Sequence, residues 1–204
     1  MEISTTDCTS KEVYKLLSGT VVPRPIAFVA TKSKTGIDNL APFSFFTPVS
    51  SEPPTIMFSI GKRNGKKKDT LINIEQHREF TINIVTEDIA RAMHHTAADF
   101  RADVSEFAEA GLTPVQATML DCMAVKEAPI HMECTLEQVI PVGKNDMVLG
   151  RVVHFRIEDG LYMDPYKINH DILKPLGRLA GNAYSYTRDF VELKREVDPD
   201  KLLD

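Results

Sequence analysis

The stretch that decides the fold reads, from residue 130 to residue 157, IHMECTLEQVIPVGKNDMVLGRVVHFRI. Two apolar runs flank the turn Gly143-Lys144-Asn145-Asp146. A connection this short permits only antiparallel pairing, because parallel strands need a crossover of a dozen or more residues. The stretch therefore predicts a long β-hairpin. The defining apolar positions are Met132, Cys134, Leu136 and Ile140 before the turn and Leu149, Val153, Phe155 and Ile157 after it.

The first half of the chain also alternates with the period of two that is typical of strands. The turn residues 36–39 and 52–54 separate several of these runs, and neither turn has room for a crossover helix. We therefore expect an antiparallel sheet, closed into a barrel, rather than a doubly wound α/β sheet. The alternating sets are Ile26, Phe28 and Ala30; Ile56, Phe58 and Ile60; and Phe80, Ile82 and Ile84, and residues 43–46 are expected to resume a strand.

Short helices punctuate the strands, so the predicted fold class is mainly β with short helices. Thr9-Ser10-Lys11-Glu12 is a capping box, and Gly19 is placed to end that helix in a left-handed conformation. Further short helices are expected over 71–77, from Thr86 onward and over 105–110.

Composition narrows the function classes. The chain has 204 residues and a formal net charge of -5, which argues against a general nucleic-acid binder. No apolar run is long enough to cross a bilayer, the first residues do not resemble a signal peptide, and the three cysteines form no disulfide or zinc pattern. We expect one cytoplasmic domain over 1–204, with a core at about 10–190 and a charged tail from Glu192. No metal site is expected, because His94 and His95 are adjacent and diverge on a helix.

The most unusual segment is basic. Five of the seven positions from Lys62 to Lys68 are Lys or Arg, in an acidic protein. The segment follows a predicted strand and precedes a helix for which Asp69 is the natural N-cap, with Thr70 offering a hydroxyl donor. Cationic side chains at a helix start suit a phosphate, although a solvated basic loop is the more common outcome. The chain lacks the glycine motifs of dinucleotide-binding Rossmann folds and P-loops.

A second segment, Asn39-Leu40-Ala41-Pro42-Phe43-Ser44-Phe45-Phe46, combines amide, hydroxyl and aromatic groups. Such a segment can offer backbone donors and acceptors to the edge of a planar ring while apolar groups shelter its faces. The alternative is an ordinary strand with three core phenylalanines.

An ordered series of motifs across residues 20–185 resembles the flavin reductase-like family, with the flavoredoxin-like branch as the most similar. The series comprises Pro23-Arg24-Pro25-Ile26-Ala27-Phe28-Val29, the 39–46 segment, Glu52-Pro53-Pro54, Lys68-Asp69-Thr70, Glu79-Phe80-Thr81-Ile82-Asn83, Glu106-Phe107, Ala110-Gly111-Leu112, Glu133-Cys134, Gly150-Arg151-Val152 and Gly177-Arg178-Leu179-Ala180-Gly181 with Tyr184.

The resemblance implies a split antiparallel β-barrel that binds FMN, usually as a homodimer with a flavin near the interface. By position it implies that Asn39, Ala41, Pro42, Phe43 and Ser44 line the ring and the ribityl chain. It implies a phosphate site formed by Ser59, Gly61, Arg63, Lys68 and Thr70, with Asp69 capping the helix. It also implies that Arg178 and Tyr184 close the site, in the same subunit or across the dimer. Lys66 and Lys67 are not included in the expected phosphate site, because only part of the basic run can reach one phosphate.

No catalytic side chain is expected, because a flavin carries the redox chemistry and the protein supplies orientation and electrostatics. The leading function is an oxidoreductase that reduces FMN with NADH or NADPH, with a monooxygenase as a possible recipient of the reduced flavin. The alternative is a non-enzymatic FMN electron carrier with a redox-protein partner. An anion- or nucleic-acid-binding module built on the basic loop is the third hypothesis, disfavoured by net charge and by the absence of aromatic residues in that loop.

Overall fold

The computed structural model describes residues 1–193, and the predicted charged tail lies almost entirely outside them. Two single-turn 3₁₀ helices occur at Thr5–Asp7 and Asp159–Leu161. The helices are α1 (Ser10–Thr20), α2 (Asp69–His77), α3 (Ala90–His95), α4 (Glu106–Glu109) and α5 (His170–Leu173). The strands are β1 (Ala27–Lys32), β2 (Asp38–Phe43), β3 (Phe46–Ser51), β4 (Pro54–Gly61), β5 (Glu79–Ile84), β6 (Pro114–Gln116), β7 (Met123–Val125), β8 (Ile130–Val142), β9 (Asn145–Ile157), β10 (Tyr162–Met163), β11 (Lys167–Ile168), β12 (Leu176–Arg178) and β13 (Tyr184–Tyr186).

Seven strands form one sheet in the order β2-β1-β5-β8-β9-β4-β3, and every neighbouring pair is antiparallel. The sheet is curled, as the contact between the edge strand β2 and β4, near the opposite edge, shows. Phe43 of β2 and Phe58 of β4 meet inside the curl, with ring centroids 5.4 Å apart. The expected mainly β, antiparallel architecture is thus confirmed, and the curled sheet keeps β2 and β3 as its two edges.

The core lies inside this curl. Phe58 and Phe80 pack edge to face at 5.6 Å, and the buried Leu71 and Ile74 of α2 close the same cluster. Helix α2 is therefore fixed against the sheet, and the loop before it is held beside β2. A second buried cluster, built around Phe28 and Phe107, fixes the segment that carries α3 and α4.

The hairpin of β8 and β9 has the predicted place but a different register. Its loop is the two residues Gly143 and Lys144, because Val142 pairs with Asn145. Bulges between Glu133 and Cys134 and between Leu136 and Gln138 shift the pairing. On β9 the buried positions are the even-numbered residues from Asp146 to Val152, so Val153 and Phe155 lie on the opposite face and are exposed.

Helix boundaries differ from the predictions in three places. The capping box of Thr9 and Glu12 is present, but Gly19 does not end α1. The helix continues to Thr20 and stops before Pro23, because the residue that precedes a proline avoids helical backbone angles. The helix expected from Thr86 onward begins later, at Ala90, with Ile89 as its N-cap.

The N-cap of α2 was also predicted one residue late. Lys68 has extended backbone angles and is the N-cap, so Asp69 is the first helical residue and makes no capping hydrogen bond. Asp69 still interacts favourably with the positive end of the helix dipole. The expected continuous strand over 43–46 is interrupted at Ser44 and Phe45, which separate β2 from β3.

The buried guanidinium of Arg24 joins the two ends of the described chain. Its Nη1 donates to the carbonyls of Ser18 and Val21, both at 2.6 Å, and its Nη2 donates to the carbonyl of Leu179 at 2.9 Å. The backbones of Arg24 and Arg178 also pair. One side chain thus holds the end of α1 against the β12–β13 hairpin.

No helix among residues 1–193 has the length and apolar character needed to span a bilayer.

Candidate functional site

A cleft of about 560 Å³ lies where three separated segments meet. One wall is β2, the second is the basic loop 62–68 with the start of α2, and the third is the segment 96–100 that follows α3. The strand and the loop are brought together because α2 packs on the core beside β1 and β2.

Eight of the thirteen predicted site residues line this cleft. They come from both segments that the sequence singled out, although Phe43 and Arg63, the nearest members of the two groups, are 20 positions apart. The eight are Asn39, Ala41, Pro42 and Phe43 from β2, Arg63 and Lys68 from the basic loop, and Asp69 and Thr70 from α2.

The structure places Ser44, Ser59 and Gly61 away from the cleft lining. Ser44 lines a separate apolar hollow of about 410 Å³, beside Arg24 and Phe45. Ser59 and Gly61 lie on β4, where the Ser59 hydroxyl accepts a hydrogen bond from Asn145 Nδ2 at 3.1 Å.

The structure also places Arg178 and Tyr184 outside the cleft lining. The Arg178 guanidinium stacks on the Tyr184 ring at 4.4 Å, and the Tyr184 hydroxyl bonds to His94 Nδ1 at 2.8 Å. His94 belongs to α3, directly before the third wall. This pair therefore borders one wall without forming part of it.

Ion pairs divide the cations of the basic loop into two groups. Lys62 faces Asp146 at 3.7 Å, Arg63 pairs with Asp99 at 3.0 Å, and Lys67 binds Glu75 through two contacts of 2.6 and 2.7 Å. Within residues 1–193, Lys66 and Lys68 have no acidic partner, and both line the cleft. The Lys68 ammonium lies 5.9 Å from the centroid of the Phe43 ring. These two lysines are therefore the cations that an anion would meet.

The start of α2 adds donors of a different kind. The first N–H groups of a helix have no partner within it, and they point toward the side from which an anion approaches. Asp69 and Thr70 contribute such groups to the cleft lining. The Thr70 hydroxyl, in contrast, donates to Asn39 Oδ1 at 2.9 Å, so its proton is already used inside the protein.

Glu106 is the residue that sequence reasoning left without a role. It lines the cleft although it is only 7% exposed, and its two carboxylate oxygens accept from Asn39 Nδ2 at 2.8 Å and from the Leu40 N–H at 2.9 Å. Burial raises the pKa of Glu106, opposed by these hydrogen bonds. Glu106 was part of the motif series, but no local pattern indicates that α4 packs beneath β2. The 96–100 wall was missed for the same reason.

The curled seven-stranded antiparallel sheet with α2 against its core is the split-barrel architecture. A Shewanella frigidimarina protein described as a flavin reductase with a split barrel domain shares this fold, with a TM-score of 0.85 over 96% of this chain and 99% of that chain. Their 21% identity supports the fold alone. The model of the flavin reductase like domain matches residues 18–172, and the chain therefore belongs to that family.

Two solved structures share more sequence with this chain. Nitrilotriacetate monooxygenase component B from Bacillus cereus is 39% identical, with a TM-score of 0.92 over 95% of this chain and 98% of that one. The Pseudomonas fluorescens 2-nitrobenzoate 2-nitroreductase NbaA is 32% identical, with a TM-score of 0.89 over 96% of both chains.

Proposed function

We propose that this chain binds FMN in the cleft and reduces it with NADH or NADPH. The proposal depends on one observation: the same cleft has a cationic end, formed by the basic loop and the start of α2, and a neutral end, formed by β2. The cleft volume of about 560 Å³ is within the range of small-molecule and cofactor sites.

The cationic end fits a phosphate monoester. Lys66 and Lys68 have no acidic partner within the described chain, and the N–H groups at the start of α2 supply directional donors. Ammonium groups and helix-start amides together form the usual donor set for such an anion.

The neutral end fits a planar heterocycle. Strand β2 is an edge of the sheet and pairs only with β1, so every second residue along it turns its backbone groups away from the sheet. On that side the Leu40 N–H is bonded to Glu106 and Pro42 has no N–H, so the strand offers carbonyl oxygens. Such groups can bond to the edge of a ring, while Ala41, Pro42 and Phe43 offer apolar contact. FMN combines a phosphate with a ring of this kind.

The chemistry divides simply between ligand and protein. Bound FMN would supply the hydride acceptor, and the reaction needs a nicotinamide placed against an open flavin face. The residues of the chain bind and orient: the lysines hold one end, and β2 and Asn39 hold the other. No protein acid or base is required.

The likeness to a monooxygenase component B supports a role in supplying reduced flavin to a partner monooxygenase, and we place this reaction in the cytoplasm. The alternative is an electron carrier that retains FMN and exchanges electrons with a redox protein.

We also propose a homodimer. Tyr14 and Leu17 on α1 and Val21 directly after it are exposed apolar residues, and Tyr14 stacks on Phe45 at 6.4 Å, beside the apolar hollow. A contiguous apolar surface of this kind is typical of an interface. In such a dimer Arg178 and Tyr184 would be positioned to border a flavin of either subunit.

The deciding experiment starts from purified protein without flavin. Titration with FMN should quench flavin fluorescence at one site per chain, and oxidation of NADH or NADPH should then depend on added FMN. Failure to bind FMN would refute the proposal. Tight binding without nicotinamide oxidation would favour the electron carrier, whereas a salt-sensitive gel shift with nucleic acid would favour the third hypothesis.

A further inference from the structure

Beneath the neutral end of the cleft lies a buried polar network centred on the side-chain amide of Asn39. Its members come from four elements: Thr31 of β1, Asn39 of β2, Thr70 and Asn73 of α2, and Glu106 of α4. Apart from Asn39 itself, all of them are buried. A buried network of this kind fixes donor and acceptor roles, because an unmatched group inside the protein is costly.

The amide oxygen of Asn39 has no remaining capacity. Oδ1 accepts from the Thr70 hydroxyl at 2.9 Å and from the Thr31 hydroxyl at 3.2 Å. Thr31 is the donor in that bond, because an amide oxygen can only accept, and the Thr31 oxygen itself accepts from Asn73 Nδ2 at 3.1 Å. An amide oxygen has two lone pairs, so both are used.

The amide nitrogen is only half used. One Nδ2 proton goes to Glu106 Oε1 at 2.8 Å, and the second has no acceptor among residues 1–193. Asn39 lines the cleft. It can therefore present only a donor to a ligand, and its orientation is fixed by Glu106 on one side and by the two threonines on the other.

We infer that Glu106 is a positioning residue that holds Asn39 as a hydrogen-bond donor, so that the cleft selects a ligand that accepts a hydrogen bond at this point. The inference rests on the proposed binding of FMN, because the edge of the flavin ring carries carbonyl oxygens and imine nitrogens that accept. Glu106 suits this role because its second oxygen is occupied by the Leu40 N–H at 2.9 Å, which prevents the carboxylate from rotating away.

A single amide substitution tests the arrangement. In Glu106→Gln only one of the two former acceptor atoms remains an acceptor, so either Leu40 or Asn39 loses its partner. We expect the dissociation constants of both FMN and riboflavin to rise about tenfold, the factor that corresponds to one lost hydrogen bond. Equal changes for the two ligands would place the defect at the ring end and not at the phosphate end.

The matched control is Glu109→Gln, the same change on the same helix. Glu109 is exposed, and its side chain makes no hydrogen bond within the described chain. Its FMN affinity and melting temperature should equal those of the original protein.

A double substitution separates positioning from simple structural support. In Asn39→Asp with Glu106→Gln, the new amide at position 106 would donate to the new carboxylate at position 39 and accept from the Leu40 N–H. The hydrogen bond between the two positions is thus restored with reversed direction, and the net charge is unchanged. We expect the melting temperature to recover while FMN binding stays at least tenfold weaker, because position 39 now presents an acceptor.

Two results would overturn the inference: FMN binding of original strength in a folded Glu106→Gln variant, or in the double variant. Either result would leave the proposed function intact, because it requires that the unaltered protein binds FMN. If the unaltered protein binds no FMN, both the inference and the proposed function fall.

Discussion

Lys68 is the cation whose removal should affect the cleft most directly. It has no acidic partner within residues 1–193, lines the cleft and lies over Phe43. Lys68→Ala should weaken FMN binding by about 1–3 kcal/mol, the range for hydrogen bonds to charged groups. Fluorescence titration measures the loss, and riboflavin should be almost unaffected because it lacks the phosphate. Lys34→Ala, which removes an exposed lysine that is not part of the cleft lining, is the control. Unchanged FMN retention in Lys68→Ala would place the phosphate elsewhere.

Asp99 should act in the opposite direction. Its carboxylate forms an ion pair with Arg63 at 3.0 Å on the cleft wall, where it competes with an incoming anion for the guanidinium. Asp99→Asn should therefore tighten FMN binding about two- to fivefold, a range set by the small free energy of exposed ion pairs. The gain should shrink as salt is added. Asp103→Asn removes an exposed carboxylate from a different pair and should change nothing. Weaker binding in Asp99→Asn would contradict this account of the cleft.

At the scale of single residues, the sequence predicted the residues of β2 and of the basic loop that line the cleft, but it did not predict the buried Glu106 beneath them. Runs such as Lys62–Lys68 are visible because their composition is unusual, and eight of the thirteen predicted residues line one cleft. Glu106 lies 67 positions from Asn39 and resembles any polar residue of a surface helix. Its burial depends on the packing of Phe107 into a distant cluster, which no local pattern encodes.

At the scale of secondary-structure elements, a substitution of Gly150 on β9 tests how closely side chains pack inside the curled sheet. A Cβ at this position would overlap Phe80 Cζ and lie 3.2 Å from Ile56 Cδ1. Gly150→Ala should lower the free energy of unfolding by about 1–3 kcal/mol, as overpacking of a core does. Gly160→Ala is the control, because its Cβ would meet nothing within 4 Å. Urea denaturation measures both, and equal stability of the two variants would contradict the described packing.

Glu133 of β8 ties the strand to the 118–120 loop. Burial raises the pKa of its carboxyl, but the N–H groups of Met119 and Thr118, the charge of His154 and the Leu120 N–H together hold that pKa below its usual value. A lowered pKa in the folded state contributes stability above the unfolded pKa, and that stability is lost as pH falls through the folded value.

Glu133→Gln should therefore be less stable than the original protein by about 1–3 kcal/mol at pH 7. The difference should begin to narrow as pH falls below about 4.3, the pKa of an unfolded Glu, and should continue to narrow until the folded carboxyl is protonated at its lower pKa. Urea denaturation at several pH values tests this, with Glu137→Gln on the same strand as the control. A difference that grows on acidification would show that the sign is wrong.

The strands themselves were largely predictable, and their register was not. Periodicity placed β1, β4, β5, β8 and β9 where they occur. In β4 and β9 the alternation reflects one buried face, whereas β1 and β5 are buried on both faces. The bulges at Glu133 and Leu136 depend on how β8 meets its neighbours, and a period of two carries no record of an inserted residue.

For the whole molecule, the proposed dimer makes α1 the element to alter. Leu17 is 51% exposed and borders the apolar hollow. Leu17→Asp should change the particle from two chains to one, because a carboxylate at an apolar interface is not solvated. Sedimentation equilibrium measures the change. Leu16→Asp, one position round the same helix and outside the hollow, should remain dimeric. A Leu17→Asp variant that stays dimeric would refute the placement of the interface.

The contacts of Arg24 have a consequence for the smallest polypeptide that can fold. Ser18 and Val21 precede it, and Leu179 lies seven residues beyond the end of the matched 18–172 region. A fragment trimmed to that region would keep the guanidinium but discard one of its three carbonyl acceptors and the whole β12–β13 hairpin. A buried guanidinium N–H without an acceptor lowers the stability of the folded state, so a recombinant protein should extend at least through Tyr186.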